Sequence, residues 1–591
     1  MISAKKYWVA AFLVLTTFFA LGCAGTRNVN SHSLKQFNIS KEGNRYVLNG
    51  ETDLKGHTLT LPPKMVLDCR NGVLKNGKIK GEGNKVLYNK AFIGKGLSIE
   101  GCYVEDENLY SEKVLVRNSF STEDIYNVFS VALDNSNVIY EAGTYKNITE
   151  IEINKNITLD FSNSIIETVV DRYGLSNSVF LMNPDTQQAL ENVTIKNLTI
   201  DGKMPRYGIE SGVGPRRNAI RLIKVKNVTL ENVSIRNFRL GTSGDYAKDI
   251  KKRYMAGVCA IMNYKNCTIR GCSLSKNTGE GFYLVPDESQ QNYLLFKRNK
   301  SNGNYGTFLT LVDGRCLVED NEMDVFGLSG MNVFCYNSII RNNHFKGGER
   351  FNCIDITENG IYWPKNVEIS GNEADNCAGF IMVSGEDITI SNNHCSNPAS
   401  GFALTVFGYK QTTTESTSYL FQRGKIGNGV NIQVNNNRLN CKGGITTYPG
   451  SNCVLNIKDN IITVVPDKNG GPHRGTALEL NDCRELTVER NIFNNSFRNS
   501  ITKSNVYITL NKCRGKASIS GNTFDCSQTL PDNTSYFLFT QETALDQLTI
   551  KDNVTNVSGI KARAVEGKIP VKGKKVISNN GEIVVKGAAL E

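Results

Sequence analysis

Polar and apolar positions alternate in short runs along most of the chain, and the runs recur. A unit of the form x-[IV]-x-x-N reads at "LFKRN" ending Asn299, "LVEDN" ending Asn321, "IIRNN" ending Asn343 and "EISGN" ending Asn372. It returns at "TISNN" (Asn393), "QVNNN" (Asn437), "NIKDN" (Asn460), "TVERN" (Asn491), "SISGN" (Asn522) and "TIKDN" (Asn553). Earlier copies end instead at Leu198, Val233 and Cys272. Alternation over three to five residues predicts short strands with one buried face. A repeat of about 22 residues holds three such strands and three turns, which is one coil of a parallel β-helix. Helical solenoids are excluded by the near absence of helical periodicity, and a propeller needs about 40 residues per blade. The long gap from Asn393 to Asn437 predicts an insertion or a degenerate turn.

The asparagine row then has an architectural reason. Identical side chains in successive coils stack at the inter-strand spacing, and each amide both donates and accepts along the stack. An inward asparagine at a tight turn is also expected to take the left-handed backbone that the turn needs.

Ahead of the repeats, residues 121–145 read "STEDIYNVFSVALDNSNVIYEAGTY". Ser121 and Asp124 suggest a capping box, and Ile125, Val128, Phe129 and Ala132 form a helical stripe before a strand and "GTY". With the repeat, this order resembles the pectin-lyase-like right-handed parallel β-helix superfamily. The resemblance implies an all-β, right-handed parallel β-helix of about 12–14 coils with an N-terminal capping helix. The superfamily holds lyases, hydrolases, esterases, epimerases and phage tailspikes, so the fold alone does not choose a reaction. The expected organisation is a signal segment (1–22), a small N-terminal β module (23–118), the β-helix (119–560) and closing strands (561–591).

The resemblance also implies a substrate groove along the strands that precede each repeat unit. Alternation in those strands places Arg221, Tyr283, Thr310, Phe334, Asp355, Ile381 and Glu479 on the groove side. Asp355 lies mid-strand between Ile354 and Ile356, a poor place for a carboxylate on packing grounds, and Glu358 follows just past the strand. Aligning Leu309 and Leu311 with Ile354 and Ile356 puts Asp313 at the turn position of Glu358, two coils and about 9.6 Å away. Inverting glycosidases separate their carboxyls by about 6.5–9.5 Å. Asp313, Asp355 and Glu358 are therefore the catalytic candidates, as general acid and base; the bland reading is acids at solvated turns.

Two insertions, 201–218 and 237–257, carry Arg216, Arg217, Lys251, Arg253 and Tyr254, which with Arg221 and Tyr283 are candidates for substrate binding. Their bland reading is a solvated loop. Polygalacturonase signatures are absent apart from "NTGEG" at 277, so no catalytic residue is carried over from a named member. Three functions stay open. The first is a glycoside hydrolase acting on a complex, acidic polysaccharide. The second is a polysaccharide lyase, which needs a base and a cation beside a uronate. The third is a non-catalytic glycan-binding spike, favoured by a row of aromatics and amides.

Composition narrows the setting. The 591 residues carry a formal net charge of +11 with 40% apolar content, and mean hydropathy is −0.30. The excess is a modest attraction for acidic glycans, and no nucleic-acid motif is present. Lys5, Lys6, an apolar run from Tyr7 to Leu21 and "ALGCAG" resemble a lipoprotein signal with Cys23 as the acylated residue, although Leu21 departs from the usual small residue. An ordinary cleaved signal is the alternative. The expectation is a lipid-anchored outer-membrane or periplasmic protein of the cell envelope. Sixteen cysteines in an exported chain raise the question of disulfides, but Cys267 and Cys316 replace core Val or Ile and Cys272 replaces a ladder Asn, which favours buried thiols. No metal or cofactor is expected; calcium would need oxygens converging from several coils, and no such set can be assigned.

Overall fold

The computed structural model describes residues 34–578 with internal breaks, the longest at 117–134, 204–217, 239–257 and 408–429. The capping helix expected over 121–132, the signal segment with Cys23, Glu358, and the loop residues Arg216, Arg217, Lys251, Arg253 and Tyr254 lie outside the described residues. Those described are β-structure and turns, with one 3-10 turn at Leu34–Phe37 and no α-helix.

The chain divides into two units, one of residues 1–146 and 155–164, the other of 147–154 and 165–591. The first unit contains a six-stranded sheet. Its opening pair, Ile39–Glu42 with Arg45–Asp53, is antiparallel, and the following strands Val66–Lys75, Gly77–Tyr88 and Leu97–Asp106 join in parallel. Tyr140 stacks on Phe161 at 4.3 Å and meets Tyr145 of the "GTY" segment edge-on at 6.1 Å.

The second unit is a parallel coil stack with three ladders per turn. The first ladder runs through Ile220–Ile223, Cys259–Tyr264, Phe282–Pro286, Leu309–Gly314, Met331–Arg341, Asn352–Ile356, Gly379–Val383, Phe402–Val406, Gly443–Thr447, Thr476–Asn481, Asn505–Asn511 and Ser535–Gln541. The second is built from the repeat units, and the third from the short strands that follow each of them. In the second ladder, Ile195, Leu230, Ile269, Phe296, Val318, Ile340, Ile369 and their successors form one unbroken inward column. Period-two alternation gives each strand one buried face, and stacking the coils supplies the partner for that face.

The asparagine row is an inward ladder. Asn299, Asn321, Asn343, Asn372, Asn393, Asn437, Asn460, Asn491, Asn522 and Asn553 are all buried. At each step the backbone N–H donates to the Oδ1 of the next coil, for example Asn372 to Asn393 at 2.9 Å, and Nδ2 donates to the same oxygen at 3.0 Å. Nδ2 also donates to a strand carbonyl of the preceding coil, Ile340 for Asn372. Asn393 bonds directly to Asn437, so the 44-residue gap is a single step of the ladder.

One expectation is corrected. The residue in left-handed backbone is not the ladder asparagine but the residue before it: Arg298, Asp320, Asn342, Gly371, Asn392, Asn436, Asp459, Arg490, Gly521 and Asp552 all have φ between 54° and 64°. The turn places its left-handed residue outside, where any short or solvated side chain serves. This frees the next position to point its amide inward.

Fourteen cysteines are described as free thiols, thirteen of them buried. Cys267 lies in register between Val228 and Leu294, and Cys272 donates its backbone N–H to Asn299 Oδ1 in the ladder position. Cys453 and Cys483 stack with their sulfurs 3.4 Å apart, in contact but unbonded. Burial pushes the Cys272 and Cys395 thiols up to about 12, which keeps them protonated and inert.

Candidate functional site

The first ladder carries an outward column set strictly by register: Arg221, Ala260, Tyr283, Thr310, Asn332, Asp355, Met382, Thr405, Thr446 and Glu479, one per coil. Alternation alone brought out five of these, Arg221, Tyr283, Thr310, Asp355 and Glu479. Ile381 was expected here and is instead buried in the inward column between Ile354 and Leu404. The cause is the strand's entry: Phe380 and Ile381 both face the core, so the alternation starts one residue later than a simple count gives. Met382 takes the outward place. Phe334 also points outward, one step further along its strand than this column.

The column is outward-facing yet well covered. Tyr283, Thr310, Thr446 and Glu479 are each no more than 7% exposed. Asp355 is half-buried, and Thr357 Oγ1 donates to its Oδ1 at 2.8 Å. Burial pushes the Asp355 carboxyl up to about 6, against the lowering pull of the Thr357 hydroxyl and backbone N–H. In the two preceding coils, Asn332 Oδ1 and Thr310 Oγ1 are buried without a protein hydrogen-bond partner. Buried polar atoms left unmatched cost about 1–3 kcal/mol each, and their place beside a carboxyl of raised affinity for protons makes this stretch the candidate site.

Asp313 stands apart. Thr310, not Asp313, is in register with Asp355. Three residues along the strand and two coils across separate the Cα atoms of Asp313 and Asp355 by about 14 Å. Asp313 is the extra residue of a bulge, with φ 56°, and its charge, with burial, raises Tyr336 one coil on. The alignment of Leu309 with Ile354 holds, and Glu358, whose turn position Asp313 is expected to share, lies outside the described residues. Arg221 lies five coils from Asp355 along the column, and Tyr283 three coils away. Among the described residues no group of three or more His, Cys, Asp or Glu could hold a metal ion.

Two residues escaped the sequence reading. Phe407 and Tyr448 stack at 4.1 Å with an interplanar angle of 19°. They stand one residue beyond Val406 and Thr447, two positions along from Thr405 and Thr446 of the outward column. Both sit just past a strand end, where alternation no longer assigns a face.

Residues 185–315 and 257–395 match a family model described as "Right handed beta helix region". With the parallel ladders, this makes the chain a parallel β-helix protein; no specific enzyme family is matched. No curated protein matches. Among solved structures, a double mutant of the tailspike protein of E. coli bacteriophage HK620 is similar at 13% identity and a TM-score of 0.19, over 85% of this chain and 74% of that one.

Proposed function

We propose that this protein acts on a polysaccharide laid along the first ladder, as a glycoside hydrolase with Asp355 as the proton donor. What carries the reading is the state of Asp355: a mid-strand, outward, half-buried carboxyl pushed up to about 6. An acid that keeps its proton up to about pH 6 can donate to a departing glycosidic oxygen, whereas an ordinary aspartate is ionised well below that pH. Asn332 and Thr310, the preceding members of the column, offer hydrogen-bonding atoms for sugar hydroxyls. The base is assigned to Glu358, three residues beyond Asp355 in sequence. The substrate is expected to be acidic, given the net charge and the cations of the two insertions. Cys23 is expected to hold the protein to the cell envelope through lipid.

A second reading, a glycan-binding spike without catalysis, is favoured by one observation. In the column of Thr357, two residues along each strand from that of Asp355, two aromatics (Phe407, Tyr448) are followed by three amides (Asn481, Asn511, Gln541). The deciding experiment incubates the protein with acidic and neutral polysaccharides and follows both reducing ends and absorbance at about 235 nm, where the unsaturated uronate made by β-elimination absorbs. Reducing ends without absorbance, abolished by Asp355→Asn, support the hydrolase. Rising absorbance makes the protein a lyase. Retention of a glycan with neither signal leaves the spike.

A further inference from the structure

We propose that the stacked Phe407–Tyr448 pair is a platform for a pyranose ring of the bound glycan. The inference rests on the polysaccharide reading but not on catalysis.

The first observation is exposure. Tyr448 is 50% exposed, and it is the one aromatic among the exposed large hydrophobic residues described. One ring face is covered by Phe407. With half the residue still in solvent, the free surface must include much of the opposite face. In the following coil Asn481 is buried and donates its Nδ2 to the Thr447 carbonyl at 2.6 Å.

The second observation is rigidity. "YPGS" folds as a turn in which Ser451 N–H donates to the Tyr448 carbonyl at 3.2 Å, with Gly450 at φ +87°. Proline followed by a residue of positive φ is the type II turn, and a side chain at Gly450 would be strained there. Asp482 accepts the Gly450 N–H at 2.6 Å, and the Ser451 hydroxyl also donates to the Tyr448 carbonyl. Tyr448 N–H donates to Val406 at 2.9 Å and Phe407 N–H to Val383 at 2.8 Å, which ties both residues to the ladder. An exposed aromatic fixed in this way loses little freedom when a ligand covers it.

The third observation is placement. Ladder registry continues from Thr357 through Ser384 to Phe407 and Tyr448. Phe407 therefore lies about 10 Å, and Tyr448 about 14 Å, from the residue that hydrogen-bonds Asp355, along the coil axis. A chain running along the first ladder from Asp355 toward the C-terminal coils crosses the pair. The C–H face of a pyranose carries partial positive charge and an aromatic face is negative, so the two attract beyond their area burial.

The test is affinity electrophoresis of the full chain through gels containing polygalacturonate, alginate, chondroitin sulfate, xylan or laminarin, with Tyr448→Ala, Tyr448→Trp, Phe407→Leu and Asp355→Asn run beside the parent. The expected result is retardation of the parent by at least one polymer. Affinity for that polymer should fall about tenfold in Tyr448→Ala and less in Phe407→Leu, and stay within about threefold of the parent in Tyr448→Trp, with unfolding temperatures unchanged. Asp355→Asn should be retarded like the parent. Equal retardation of Tyr448→Ala and the parent overturns the platform and leaves the polysaccharide reading standing. Loss in Tyr448→Trp as severe as in Tyr448→Ala overturns stacking in favour of a bond to the phenol. No retardation of the parent by any polymer overturns the polysaccharide reading and the platform together.

Discussion

Thr357 Oγ1 donates to Asp355 Oδ1 across 2.8 Å, joining neighbouring outward positions of one strand. The bond favours the ionised carboxylate and partly offsets the burial that raises its pKa. Removing it in Thr357→Val should move Asp355 above about 6. Carboxyl carbon shifts followed by NMR across the pH range would check this, and an unchanged midpoint would remove Thr357 from the account.

Asp355 should also make stability depend on pH in an unusual sense. Its folded pKa lies above the unfolded value of 3.8, so the fold binds its proton more tightly than the unfolded chain does. This contribution is complete below about pH 4 and is lost as pH rises through about 6. Asp355→Asn should therefore gain on the order of 1–3 kcal/mol relative to the parent on going from pH 4 to pH 7. Urea titrations at the two pH values measure it; parallel behaviour of the two proteins would show that Asp355 is not shifted.

The asparagine ladder should dominate local stability. Asn372 makes three donations and accepts two bonds from Asn343. Asn372→Ala leaves those partners unmatched inside the coil and should cost about 2–4 kcal/mol. Hydrogen exchange at the neighbouring coils provides the reading, and a loss confined to a few tenths of a kcal/mol would refute the ladder's structural weight.

The left-handed residue before each ladder position makes an opposite pair of outcomes. Asn392 has φ 56°. Asn392→Gly should be neutral within about 0.5 kcal/mol, while Asn392→Val should lose about 1–2 kcal/mol, because a branched Cβ collides with the backbone there. Thermal unfolding of the two variants separates them, and equal values would contradict the assigned turn.

Glu319 is a charge held between coils. It accepts from Lys297 at 2.5 Å and from Arg341 at 2.8 and 2.9 Å. The Lys297 hydrogen bond, followed by that from Arg341, holds its carboxyl below the usual glutamate range. The stabilisation is present above the unfolded pKa of 4.5 and lost as pH falls below it. Glu319→Gln should cost about 1–3 kcal/mol at pH 7 and converge with the parent at acid pH; a cost independent of pH would assign the effect to packing instead.

Much of the fold was legible before any coordinates. The x-[IV]-x-x-N unit specifies its own strand, turn and inward amide. The buried thiols were legible for the same reason, since Cys267 and Cys272 stand where other coils carry a hydrophobe or an asparagine. Residues just past a strand end were not legible. Phe407 and Tyr448 follow the last alternating position, where the pattern no longer says which way a side chain faces.

What the sequence determined by itself is therefore the coil: its period, its core column and its asparagine row, all set by interactions repeated at fixed spacing. What only the tertiary structure decided is which residues of different coils stand side by side. Register brought Thr310, Asn332 and Asp355 into one column, and a strand entry moved Ile381 into the core. A one-residue shift in a strand exchanges its faces, and spacing between coils is set by turns of unequal length, so site geometry depends on hydrogen-bonded pairing between distant segments.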